Sequence, residues 1–174
     1  MIYTVNDIFS YLKGSLLMAF LFLCTFSFSQ NDSPISGREL VQPDPDGTFS
    51  LTAETGEGMG PGIKYMPEWR AYGWFTAEDR VEWKVNVTYG GEYEVYMEWS
   101  VSDEEAGKEF LLELKGDSLS GKVDKSGSWE TYKIVSIGKV RLEKGIQDVV
   151  FRPKNRFPGE ALLDLRYLRF LPVR

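Results

Sequence analysis

The sequence has no histidine among its 174 residues and only one cysteine, Cys24. These absences exclude catalysis by Ser-His-Asp or Cys-His groups and metal sites built on imidazole. Cys24 lies in an apolar run near the amino terminus that we interpret as part of a signal peptide. We therefore expect a mature domain with neither a disulfide nor a thiol nucleophile.

The sequence also has fewer basic than acidic residues: 20 Lys and Arg compared with 26 Asp and Glu, which gives a net charge of −6. The basic residues are scattered along the chain rather than clustered. Proteins that bind nucleic acid or anionic membranes typically carry a concentrated basic surface. The composition therefore predicts a protein that binds neither.

The apolar run covers residues 16–28 and ends in polar sequence. A run of this length is short for a membrane span and typical of a secretory signal. We predict a signal peptide over residues 1–29, a polar linker or arm over 30–47 and one domain over 48–174. The expected location is secreted, periplasmic or at the cell surface, with no membrane span after signal cleavage.

From residue 49 onward, short stretches of alternating apolar and polar residues are separated by turns that contain glycine. The two clearest are residues 81–87 and 93–101, which residues 89–92 are predicted to join as a tight hairpin. Further strands are predicted at residues 110–114, 132–137, 140–142, 147–152 and 162–171. No stretch shows a convincing helical period. The pattern predicts an all-β fold, an antiparallel β-sandwich.

Hydrolysis without histidine or cysteine would need a pair of carboxylates. Two groups of acidic residues are candidates: Glu92, Glu94 and Glu98, and Glu78, Asp79 and Glu82. Most of them alternate with apolar residues, so the solvated faces of strands explain them. Nothing in the sequence indicates a carboxyl group in an apolar pocket that would raise its pKa. We therefore predict that the protein is not an enzyme.

The aromatic residues fall into two groups. Trp83 and Trp99 lie on the apolar side of their predicted strands and are expected in the core. The second group lies in loop-like sequence and comprises Trp69, Tyr72, Trp74 and Trp129. Exposed loop rings are costly unless they bind something, and they stack well on the C–H faces of sugars. The alternative is that these rings cover the open ends of the sandwich.

Residues 72–83 (YGWFTAEDRVEW) resemble the Gly-Tyr-Ile-Asp-x-Gly-Asp-Trp-x-x-Tyr segment of family 6 carbohydrate-binding modules. Similar motifs follow in the family's order: GEY at 91–93, SGSW at 126–129, IGKVRL at 137–142 and LDL at 163–165. The resemblance covers about residues 49–173. It implies a galactose-binding-domain-like β-jelly roll, a fold shared with family 35 modules. The implied function is non-catalytic binding of a polysaccharide or oligosaccharide, with a secreted glycoside hydrolase as a further partner.

By this resemblance, Trp74 and Trp129 clamp a sugar ring, and Trp69 and Tyr72 extend the platform. The family's cleft also uses an asparagine two residues before the aspartate of the last strand. Leu162 stands at that position, so a hydrogen bond to the sugar is expected to be missing. This departure favours the alternative function, a structural or protein-interaction β-sandwich that has lost sugar binding.

The resemblance also implies a structural calcium ion held by acidic residues and carbonyl groups at the edge of the sheet. Glu54 and Asp164 match two ligand positions, whereas Thr52 stands where the family has a second glutamate. Calcium takes roughly six to eight oxygen ligands, so at most a weakened site is expected. The alternative for Asp164 is a salt bridge with Arg166 or Arg152.

Overall fold

The computed structural model describes residues 38–73, 75–157 and 161–173, and the predicted signal peptide lies outside them. These residues form β-strands joined by turns and loops. They contain no helix, and hence none long and apolar enough to cross a membrane. The strands in chain order are β1 (Leu40–Val41), β2 (Phe49–Thr52), β3 (Glu57–Met59), β4 (Lys64–Met66), β5 (Ala71–Gly73), β6 (Arg80–Val87), β7 (Gly91–Ser100), β8 (Glu109–Leu114), β9 (Asp117–Lys122), β10 (Lys133–Leu142), β11 (Gly145–Pro153) and β12 (Asp164–Pro172).

The strands are arranged in two sheets. One sheet has the order β1-β6-β11-β8-β9, and β3 also pairs with β6. The other has the order β10-β7-β12-β5-β4, and β2 also pairs with β12. Among the named strands, β1 runs parallel to β6, and the remaining pairs are antiparallel. This confirms the predicted antiparallel β-sandwich.

The hydrophobic core lies between the sheets and takes alternate residues from the long strands β6, β7, β8, β11 and β12. Trp83 on β6 and Trp99 on β7 are fully buried, as predicted. Each indole N–H donates to a backbone carbonyl: Trp83 to Thr52 at 2.7 Å and Trp99 to Asp124 at 3.3 Å. Because a buried donor without a partner would be costly, these bonds let the two largest side chains enter the core.

The predicted hairpin between β6 and β7 is wrong, because the two strands lie in different sheets. Residues 88–90 cross from one sheet to the other instead. Alternation shows only that one face of each strand is buried. The buried faces of β6 and β7 meet across the core, and a hairpin in one sheet would produce the same sequence pattern.

Two other elements differ from the predictions. Residues 132–137 and 140–142 are predicted as two strands around Gly138, but residues 133–142 form the single strand β10, with a bulge there. Gly138 has a φ of +138°, a backbone conformation that glycine adopts readily and that suits an extra residue in a strand. β1 lies within the segment predicted as a polar arm, which therefore contributes a strand to the first sheet.

Candidate functional site

A cavity of about 350 Å³ lies where β7 ends and where β10 and β12 begin. It is lined by Met66, Ser102, Glu104, Glu105, Trp129, Ala161 and Asp164. We call this cavity the cleft. Of the aromatic residues that the sequence singled out, Trp129 is the one that the structure places among its described lining residues.

The loop that carries Trp129 is fastened to the end of β7. The Ser126 hydroxyl accepts a hydrogen bond from the Val101 amide at 2.8 Å and lies 2.8 Å from the Val101 carbonyl, to which it donates. The Ser100 hydroxyl donates to the Trp129 carbonyl at 2.6 Å. These bonds hold the backbone on both sides of the ring, so little ordering remains to be done when a ligand binds.

Asp164 is the polar side chain that β12 contributes to the cleft. Asp164 begins the strand opposite Ser100, and its carboxyl group makes no hydrogen bond or ion pair with any described residue. Burial raises the pKa of this carboxyl group to about 7. The expected salt bridge is not formed, because Arg152 pairs with Glu113 and Arg166 pairs with Glu98.

Gly73 lies against the side chains of Asp164 and Met66 in the site. A Cβ at this position would lie 2.4 Å from Asp164 Oδ1 and 2.7 Å from the terminal methyl of Met66. A larger residue would therefore push the carboxyl group out of its present position. Gly73, which precedes Trp74 in the sequence, thus leaves space for the Asp164 side chain.

Leu162 does not occupy the place that the resemblance assigned to it. Its side chain is fully buried in the core, and its amide donates to the Phe75 carbonyl at 3.0 Å. Asp164 lies in the cleft instead. Leu162 therefore offers no polar group to the cleft, whereas Asp164, two residues later, does.

The other predicted platform residues are not gathered around Trp129. Tyr72 lies in β5 and is buried, and its hydroxyl donates to the Gly56 carbonyl and accepts from the Gly58 amide, both at 3.0 Å. The prediction that it is an exposed loop ring is corrected. Trp69 is 37% exposed but lines a different pocket. Trp74 lies outside the described residues, so its part in a clamp stays a prediction.

The pocket beside Trp69 has a volume of about 470 Å³, and we call it the arginine pocket. Its lining includes Thr52, Glu54, Trp69, Arg70, Glu98 and Arg166. Glu54 accepts a hydrogen bond at each carboxylate oxygen from Arg70, at 2.6 and 3.0 Å. The guanidinium group lowers the pKa of Glu54 through these bonds.

These residues do not fit a calcium ion. Asp164 lines the cleft, whereas Glu54 lines the arginine pocket with both oxygens engaged by Arg70. In the described ranges, no group of three or more Asp or Glu side chains is placed to hold a metal. Glu54 and Asp164 are therefore not brought together as ligands of one ion.

Several of the other carboxylates considered as catalytic candidates make structural contacts. Glu82 pairs with Arg38 and Arg80, and Glu92 pairs with Lys139.

Sequence reasoning missed the role of Asp79. It is almost fully buried and accepts hydrogen bonds from the backbone amides of Thr76 at 2.6 Å and Gly62 at 3.1 Å. These bonds tie the loop between β3 and β4 to the turn at Thr76.

No family model and no curated protein matches the sequence. The structure, however, is similar to a family 35 carbohydrate-binding module from Clostridium thermocellum, with a TM-score of 0.59 and 14% identity. That match covers 72% of this chain and 98% of the module. It is also similar to the C-terminal family 6 carbohydrate-binding module of a marine laminarinase from Zobellia galactanivorans, with a TM-score of 0.55 and 14% identity over 71% of this chain and 98% of that one.

A third similar structure is an exo-β-1,3-galactanase from Phanerochaete chrysosporium, with a TM-score of 0.56 and 20% identity over 71% of this chain. The chain spans only 29% of the length of that enzyme. The two modules are instead matched over nearly their whole length. The chain therefore has the β-sandwich fold of family 6 and family 35 carbohydrate-binding modules, as its sequence motifs predicted.

Proposed function

We propose that the protein binds a glycan without acting on it, at the cleft formed around Trp129 and Asp164. The observation that carries this proposal is that one cavity holds an aromatic ring on a fixed loop and a carboxyl group that has no partner among the described residues. A sugar ring offers the matching groups, because its C–H face packs on an indole and its hydroxyls donate to carboxyl oxygens. The names of the two similar modules support the proposal.

Trp74 is proposed to complete the aromatic clamp. It directly follows Gly73, whose backbone lies against the Asp164 carboxyl group at the floor of the cleft. The position of Asp164 also removes the main argument for a sandwich that has lost its sugar site, since that argument depended on Leu162. A cavity of about 350 Å³ suits a short segment of glycan. We expect a dissociation constant between ~10 µM and ~1 mM, as for one clamp and a few hydrogen bonds.

The cleft is expected to prefer uncharged glycans. The charged side chains among its described lining residues are acidic: Glu104, Glu105 and Asp164. Glu105 is neutralised by a bond to Lys108, which also donates to the Ala161 carbonyl at 2.6 Å. Glu104 and an ionised Asp164 would repel a carboxylate or sulfate group on the sugar.

The proposal extends to where the protein acts. Residues 1–29 have the pattern of a secretory signal, so we propose export to the cell surface or beyond. A secreted glycoside hydrolase is a proposed partner. The galactanase supports this idea, because a region similar to this chain forms part of that longer enzyme.

Affinity electrophoresis against a panel of neutral plant and algal polysaccharides tests the proposal. One glycan should retard the protein, and Trp129→Ala should abolish the retardation. Trp69→Ala is the matched control, because Trp69 is partly exposed but lines the arginine pocket. The bound glycan should also release no reducing sugar. Free migration on every gel, or equal retardation of Trp129→Ala, would contradict the proposal.

A further inference from the structure

We propose that Arg166, supported by Arg70, does in this protein the structural work that a calcium ion would do, so that the fold neither binds nor needs calcium. The inference concerns the arginine pocket and is independent of whether the cleft binds a glycan. It starts from three acidic residues, Glu54, Glu68 and Glu98, which line this pocket together with both arginines; Glu68 is exposed to solvent.

Arg166 occupies an irregular position in β12. The register between β12 and β7 shifts between Leu165 and Tyr167, so Arg166 is the extra residue of a bulge. A bulge redirects the side chain that it carries. Here it directs the guanidinium group into the arginine pocket rather than leaving it on the regular face of the strand.

The contacts of Arg166 are those that a structural cation makes. Its Nε donates to the Trp69 carbonyl at 3.0 Å, and its Nη1 lies 3.1 Å from Glu98 Oε1. Its guanidinium carbon lies 3.5 Å from the centre of the Tyr132 ring. The group thereby ties β12 to the loop before β5, to β7 and to the residue that precedes β10. Carbonyl and carboxylate oxygens are also the ligands that calcium prefers.

Arg70 pairs with a second carboxylate of the pocket, that of Glu54. It binds both oxygens of Glu54 in the two-pronged geometry that favours arginine over lysine. Arg70 is also the one non-glycine residue of the described ranges with a positive φ, +50°. Few side chains adopt this conformation, which marks a local backbone strain that the surrounding contacts must offset.

A calcium ion would have to displace these arginines or share the pocket with them. Both guanidinium groups carry a positive charge. A divalent cation placed among them would meet two like charges in a partly enclosed site. Thr52 stands where the resemblance places a second glutamate ligand, but its hydroxyl lies 3.2 Å from that of Thr55. Glu68 also lines the pocket, but it is exposed to solvent, where its charge is screened.

Terbium luminescence and thermal unfolding test the inference on the full chain. Terbium binds where calcium binds, and Trp69 in the same pocket would sensitise its emission. We expect no terbium emission from the wild-type protein and the same Tm in EDTA as in millimolar calcium. Saturable emission that calcium competes away, or a Tm that calcium raises, would overturn the inference.

Variants test the structural role of the arginine. Arg166→Met should lower Tm by several degrees in EDTA and in calcium alike, whereas Arg169→Met should not, because Arg169 is exposed on the same strand. If Arg166→Met does not fold, Arg166→Lys is the second variant. It keeps the positive charge but loses the planar guanidinium group with its several N–H donors, so its Tm should fall by less. A Tm of Arg166→Met or Arg166→Lys equal to that of the wild type would overturn the inference.

Discussion

Replacing Asp164 with asparagine should make the protein more stable at neutral and alkaline pH. In the folded wild-type protein, burial holds the pKa of Asp164 at about 7, against 3.8 for the free side chain. Between these two values the folded protein retains a proton that the unfolded chain has lost. The free energy of unfolding therefore falls as pH rises through this window, and the protonated form is the stable one.

The size of the effect follows from the width of the window. A single proton changes the free energy of unfolding by at most about 1.4 kcal/mol for each pH unit. Asp164 lines an open cleft, where water screens part of the burial. We therefore expect a total loss of about 1–2 kcal/mol across the window rather than the full product. The amide introduced by Asp164→Asn has no charge to bury, so the variant should lack this loss.

Urea unfolding followed by tryptophan fluorescence at both ends of the window measures the effect. The carboxylates of Glu54 and Glu113, whose pKa values are lowered by arginine, contribute stability that is lost as pH falls. These contributions cancel when Asp164→Asn is compared with the wild type at each pH. Asp44→Asn, at an exposed position, is the control. A difference between Asp164→Asn and wild type that stays constant with pH would refute the reasoning.

Three further predictions concern the cleft. Ser126→Ala should lower the free energy of unfolding in urea by about 1–3 kcal/mol, because it leaves the buried Val101 amide without a partner. The variant should also bind glycan more weakly, and unchanged stability would contradict this prediction. Gly73→Ala should weaken glycan binding in calorimetry, because the new methyl group collides with Asp164, and an unchanged affinity would show that the carboxyl group is not used. A neutral glycan that binds should lose affinity when its C6 hydroxyls are oxidised to carboxylates, and Glu104→Gln should recover part of the loss; equal binding of both glycans would exclude selection by charge.

The layered fold could be predicted from sequence because its long strands alternate cleanly. Trp83 and Trp99 lie on the apolar side of two such strands, and this alternation alone is enough to place them in the core. The partner of each strand could not be predicted in the same way. Alternation is a property of one strand, whereas pairing depends on where the chain crosses between sheets.

The cleft is only partly visible in the sequence. Trp129 stands out because Ser126 and Gly127 precede it in a recognisable loop motif, and the same serine fastens that loop to β7. Tyr72 is misjudged because β5 has only three residues and ends in glycine, which looks like a loop. The hydrogen bonds of its hydroxyl to the backbone of Gly56 and Gly58 depend on the folded structure.

The last strand shows most clearly what a motif match cannot place. The match puts Asp164 at a metal position, whereas the structure brings its carboxyl group into the cleft. Arg166 lies two residues further on, at the bulge in β12, and its guanidinium group lies in the pocket that Glu54 also lines. Because a bulge redirects a side chain without changing the sequence pattern, alternation reveals neither position. The cleft thereby gains an acidic group that can accept hydrogen bonds from sugar hydroxyls, and the arginine pocket gains a guanidinium group.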